Sequence, residues 1–179
     1  GQPGFADLLM RLFEAYDKKR EELTSQADKL SNTLKQLSSP VLDPELTDAA
    51  LISACRDGLA ERFDSAEGGF GQSMKFAMPG SIDRLLKHWA HLRRDNGVDK
   101  DTLEMVMTTL TQIARGGVFD HIGGGFFRYA QDRQWRIPHF EKVLYDSAQL
   151  LSLYAQAMKL GGDVLFADAL TTTLAWLMR

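Results

Sequence analysis

Asp120 and His121 stand side by side in the segment GGVFDHIGGGFFRYAQDRQWRIPHFEKVLYDSAQ (116–149), and His139 and Glu141 follow further along it. An imidazole exchanges protons near neutral pH, and a neighbouring carboxylate tunes or orients it. Carboxylate pairs are also the machinery of glycoside hydrolysis. If the residues between them fold back, these four groups converge on a proton-transfer site. Phe70, Tyr129 or Trp135 would then stack on a sugar ring, with Lys75, Arg128 and Asp146 as further ligand contacts. A second reading uses the same residues as fasteners, with Asp120, His139 and Glu141 bonded to Arg128, Arg136 or Lys142. Fastening carries most weight, ligand contact less and catalysis least, so whether the chain is an enzyme stays open.

Other motifs say less. His121, His139 and Glu141 are acceptable zinc ligands, but their spacing matches no metal motif such as HExxH, and no metal or cofactor is expected. GGFGQSMK (68–75) lacks the GxxxxGK[ST] order of a phosphate loop, so Lys75 is expected to pair with a carboxylate. Gly123-Gly124-Gly125 reads as positive-φ turns or close backbone approach. Tyr145 is expected to be partly buried and Asp146 to meet an arginine, while His88 and His91 read as surface or boundary residues.

A net charge of -3 over 179 residues gives no electrostatic reason to expect nucleic acid. No apolar run approaches the ~20 residues that span a bilayer, and the start has no leader pattern. Cys55 is the only cysteine; it reads as a small apolar helix residue and fits a reducing, cytoplasmic setting.

These groups must be positioned by helices. Leu9, Phe13, Tyr16, Arg20, Leu23, Ala27, Leu30, Leu34 and Leu37 follow a 4-3 spacing, which predicts one helix over about 5–37. Packing of that seam on its own domain is preferred to an intermolecular coiled coil. After a linker through Pro44, further helices are expected over about 45–63, from an N-cap at Ser81 to near Gly97, over 100–115, over about 140–160, and onward from an Asp163 cap. Residues 126–130 and 134–137 read as a small β-hairpin around Gln131-Asp132-Arg133. The pattern stops at Arg179 inside a helix, as a truncated or processed piece would. The expected architecture is all-α, with residues 1–40 a linker helix and 41–179 helical hairpins.

GGFGQSMKF (68–76) and GGVFDHIGGGFFRYAQDRQWRIPHFEKVLYDSAQLL (116–151) resemble segments of the thioredoxin-domain-containing, spermatogenesis-associated protein 20-like family. The opening residues are similar to that family's stretch after its thioredoxin-like domain. The resemblance implies the first part of an (α/α)6 toroid, akin to N-acylglucosamine 2-epimerases and six-hairpin glycosidases, without the thioredoxin-like domain. It implies a carbohydrate or small-polar-ligand site on the loop face, or else a non-catalytic scaffold for the thioredoxin-like domain. A partial toroid is also expected to self-associate through exposed apolar stripes. Met74, Ala77 and Phe127 stand where the family pattern has two prolines and a histidine, and the lost histidine weakens any activity that needs it.

Overall fold

A computed structural model describes residues 3–38, 48–161 and 163–179. The linker through Pro44, the helix start expected near residue 45, and Gly1, Gln2 and Gly162 lie outside the described residues. The chain divides into two compact units, Gly1–Leu46 and Thr47–Arg179.

In the first unit the expected single helix is two, α1 (Phe5–Lys18) and α2 (Arg20–Ser38). Lys19 leaves helical geometry between them, at φ -132° and ψ 31°. Neither helix holds a buried residue. Apolar spacing specifies a face but does not supply what covers it.

The second unit holds α3 (Asp48–Ala60), α4 (Pro79–Arg94), α5 (Lys100–Arg115), α6 (Leu144–Lys159) and α7 (Val164–Leu177). Short turns join α4 to α5 and α6 to α7; long Gly-rich loops join α3 to α4 and α5 to α6. Contacts run from α3 to α5 and α5 to α7, and separately from α4 to α6. The α4–α5 and α6–α7 hairpins therefore pack side by side, and α3 lies against both α4 and α5. The core lies between them, from Ile82 and Leu85 through Val106, Leu110 and Ile113 to Leu150, Tyr154, Phe166 and Ala169. The Tyr154 hydroxyl donates to the Leu110 carbonyl at 2.7 Å, which satisfies the one polar atom its buried ring brings inside.

Caps decide the helix starts. Asp99 accepts from the Thr102 amide at 2.9 Å and Asp163 from the Leu165 amide at 2.8 Å, each at the N-cap. Ser81 is not a cap. α4 begins two residues earlier at Pro79, whose fixed φ suits the first helical position, and the N-cap is Met78 at φ 46°. α6 begins at Leu144 rather than Phe140 because 139–142 is already paired in extended form. There the His139 amide donates to Tyr129 O, and the Arg128 amide to Glu141 O.

The small β-structure is present, with its partners rearranged. β1 (Lys75–Phe76) and β2 (Tyr129–Ala130) pair antiparallel, Lys75 opposite Ala130 and Phe76 opposite Tyr129. Segment 127–130 also folds back on 137–142 through bridges at Phe127–Lys142 and Ala130–Pro138. The expected second strand, 134–137, forms the bend instead, because the Asp132 carboxylate accepts from the amides of Gln134, Arg136 and Ile137.

The glycines let loop and helix touch. At Gly124 (φ +75°) a Cβ would sit 2.2 Å from the Thr172 carbonyl oxygen, whereas at Gly71 (φ +88°) it would meet nothing within 4 Å. Gly71→Ala should cost only the left-handed backbone term, ~1–2 kcal/mol. Gly124→Ala should cost clearly more, about 2–4 kcal/mol, since main chain must also move. Urea unfolding followed by circular dichroism compares them, and equal losses would show that the loop–helix contact adds nothing.

Candidate functional site

One eight-residue pattern occurs twice. FDSAEGGF (63–70) and FDHIGGGF (119–126) share Phe-Asp, three variable residues, and Gly-Gly-Phe. The two copies fold alike. Phe63 bridges Phe70 and Phe119 bridges Phe126. The Asp64 and Asp120 amides donate to Gly69 O and Gly125 O, and the Gly68 and Gly124 amides return to Asp64 O and Asp120 O. Each aspartate side chain then receives two further amides, Ala66 and Glu67 on Asp64, Ile122 and Gly123 on Asp120.

A lysine completes each loop. Lys75 Nζ, fully buried, donates to Asp64 Oδ2 at 2.9 Å and to the Gly68 and Gly71 carbonyls at 2.8 and 2.7 Å. Those three acceptors match the three protons of an ammonium. Lys142 Nζ donates to Asp120 Oδ2 and Gly124 O, both at 2.6 Å, and lies over the rings of Phe127 and Trp176. The carboxylate expected for Lys75 is thus Asp64, and Asp120 is fastened by Lys142.

The second loop also locks the first. Arg133 reaches Asp64 with Nε at 2.6 Å and Nη2 at 2.8 Å, a bidentate pair. Trp135, fully buried at φ 63°, donates from Nε1 to Glu67 O at 2.8 Å and packs against the positions of Gly69 and Gly116. Phe70 is also buried. Neither Trp135 nor Phe70 offers a ring face to a sugar; both are core residues.

The remaining predicted site residues lie outside this lock. His121 is exposed and its Nε2 meets the Gly116 carbonyl at 3.0 Å. Arg128 and Glu141 pair at 3.1 Å, and His139 Nδ1 stands 3.9 Å from the same carboxylate. Tyr129 is the centre of a three-ring stack, 4.8 Å from Phe76 and 4.7 Å from His139. Asp146 forms no ion pair among the described residues; burial pushes its carboxyl up, and Arg128 pulls the other way through space. Tyr145 is exposed, not partly buried. His139, Glu141, Arg128 and Tyr129 are therefore brought together, while Asp120, 2.6 Å from Lys142 in its own loop, and His121 are held apart from them.

Two further features were not anticipated. His88 is buried rather than at a boundary, with Nε2 3.6 Å from Asp99, which pairs with Arg56 and so ties α3 to α5. Cys55 is exposed on α3. The groove of about 700 Å³ lined by Trp89, Arg93, Lys100 and Leu103 lies between α4 and α5, away from these loops. Among the described residues no three His, Cys, Asp or Glu side chains could hold a metal ion, and no helix is long and apolar enough to cross a membrane.

Spermatogenesis-associated protein 20 of Rattus norvegicus is 36% identical to the chain over 180 residues, 98% of this chain and 23% of the rat protein. The chain belongs to the spermatogenesis-associated protein 20-like family. The Homo sapiens protein of that name is 35% identical over the same share of the chain, and an uncharacterised Caenorhabditis elegans protein is 45% identical over 98 residues, 55% of the chain and 13% of its own length. No family model matches. The chain spans less than a quarter of the length of these relatives.

In this family member both loop aspartates are held ionised. The Arg133 hydrogen bonds, then Lys75 and the Glu67 amide, outweigh burial and keep the Asp64 carboxyl far below the usual range. Burial pushes the Asp120 carboxyl up, but the Gly123 amide, Lys142 and the Ile122 amide bring it down to about 2. Its folded value lies below the ~3.9 of an unfolded aspartate, so the ionised form stabilises the fold above about pH 4. That contribution is lost as pH falls from about 4 toward 2. Asp120→Asn should flatten the acid limb of unfolding midpoint against pH; an unchanged limb would rule this out. Asp64→Asn should cost about 3–5 kcal/mol at pH 7, because it strands the buried Lys75 ammonium. Calorimetry reads this, and a loss under ~1 kcal/mol would mean that Lys75 is not held as described.

Proposed function

We propose that the chain is part of an (α/α)6 toroid whose Gly-rich loop face binds a sugar or another small polar ligand. The repeated hairpin-and-loop unit supports the toroid. One observation carries the ligand site: the Phe76–Tyr129–His139 stack adjoins the Arg128–Glu141 pair, both of whose side chains are about half exposed. Aromatic faces beside a guanidinium and a carboxylate suit a polyhydroxylated ring. Asp146, whose carboxyl is raised by burial and lowered by Arg128 through space, is a further carboxyl of this face. In this reading Arg128, Tyr129, His139, Glu141 and Asp146 touch the ligand. Asp120, Lys75, Phe70 and Trp135 hold the loops that carry them.

A scaffold for a thioredoxin-like domain is the second reading. It is favoured by Phe140 and Ile122, 81% and 98% exposed on the same loop, which would suit a protein partner, or self-association, better than a sugar. The single thiol supports a cytoplasmic setting.

Isothermal titration of the chain with neutral monosaccharides, amino sugars and sugar phosphates tests the site. Saturable binding should weaken at least tenfold in Arg128→Ala and in His139→Ala, whose exposed side chains can be removed with little loss of stability. Binding that ignores both variants would move the site elsewhere, and no binding from any class would leave the scaffold reading.

A further inference from the structure

The two loops share their backbone bonds, their aspartate-bound amides and an aspartate–lysine pair, and they differ in what else reaches the aspartate. On Asp64, Oδ1 accepts two amides and Arg133 Nη2, while Oδ2 accepts Lys75 and Arg133 Nε. On Asp120, Oδ1 accepts two amides and Oδ2 accepts Lys142, and no guanidinium arrives among the described residues. The Asp64 side chain is 1% exposed and the Asp120 side chain 22%. The edge that Arg133 covers on the first aspartate is therefore open on the second. The carbonyls differ in the same way: Glu67 O receives Trp135 Nε1, while Gly123, its counterpart, has no such donor among the described residues.

The helices repeat the asymmetry. α5 and α7 support the two loops with backbone at matching places, the Thr108 carbonyl close against Gly68 and the Thr172 carbonyl close against Gly124, and α5 adds the Thr109 hydroxyl, which accepts the Gly69 amide at 2.9 Å. The α4–α5 pair is covered by α6 and α7. The corresponding face of α6 and α7 carries an apolar groove of about 370 Å³ lined by Ala148, Leu151, Ala155, Leu170, Thr171 and Leu174. Leu174 is about half exposed there.

We infer that Asp120 is a socket for an arginine carried on the return limb of a third helical hairpin of the same kind, whose helices pack on the α6–α7 groove. Three observations choose this occupant. The interface it would continue already exists once in the molecule, between the first and second loops. The open edge is that of a carboxylate already holding an ammonium and two amides, an arrangement that at Asp64 accepts a planar, bidentate donor. The α6–α7 groove is apolar, and one repeat earlier the α4–α5 pair is covered by the next hairpin, α6 and α7. The inference concerns how the repeat propagates and does not depend on any ligand at Tyr129 and His139.

The probe is N-acetyl-arginine amide, titrated into the isotope-labelled chain while backbone amide shifts are followed, with N-acetyl-lysine amide at equal ionic strength as the comparison. The Ile122 and Gly123 amides should move with a half-saturating concentration at least tenfold lower for the arginine probe, and those of Ala66 and Glu67 should stay still because Arg133 fills their socket. In Arg133→Ala the Ala66 and Glu67 amides should begin to respond to the same probe. Equal response to both cations would reduce Asp120 to a general anionic patch and overturn the socket. So would silence at Ile122 and Gly123 up to the probe's solubility while Ala66 and Glu67 respond in Arg133→Ala.

Discussion

Lys75 has no exposed surface, and an unpaired ammonium in that position would cost several kcal/mol. Asp64 and the carbonyls of Gly68 and Gly71 remove that cost, but only if the loop turns both carbonyls toward Nζ. Gly68, Gly69 and Gly71 all take positive φ to do so, a conformation that side chains resist. Asp64 is then oriented with its outer edge toward Arg133, and Arg133 is held on a bend tied by Asp132. The position of the whole second loop against the first follows from the need to satisfy one buried charge. The three-ring stack inherits its place from that arrangement, because β1 and β2 pair immediately beside Lys75.

The helices were largely legible, since their apolar periodicity is a property of the elements themselves. α5 has the expected ends, and the Asp163 cap is where local chemistry puts it. The Lys75–carboxylate pairing and the left-handed glycines were legible too. What was not legible depended on partners distant in sequence. Ser81 has cap chemistry, but Pro79 starts the helix earlier. Residues 140–143 continue the apolar stripe of α6, yet pairing with 127–128 holds them extended. Trp135 and Phe70 look like exposed loop aromatics until Glu67, Gly69 and Gly116 are seen around them. The doubled pattern at 63–70 and 119–126 was a signal within reach. Aligning the chain with itself would have singled out Asp64, and with it the question of what binds its outer edge.

The division of labour between the groups follows from burial. Charges inside the loops, on Asp64, Lys75, Asp120 and Lys142, are paired with one another at 2.6 to 2.9 Å and mostly buried, which is what a rigid frame needs and what a proton carrier must avoid. The side chains of Arg128, His139 and Glu141 are half exposed, with 3.9 Å between imidazole and carboxylate. Only the second set can exchange a protein partner for a ligand at modest cost.

Phe127 fits the same logic. A histidine in that place, as in the family pattern, would set a ring that can itself become cationic beside the Lys142 ammonium. Phenylalanine instead offers a neutral π face 5.2 Å from the Lys142 Nζ. Where the family pattern has a titratable group, this position carries none.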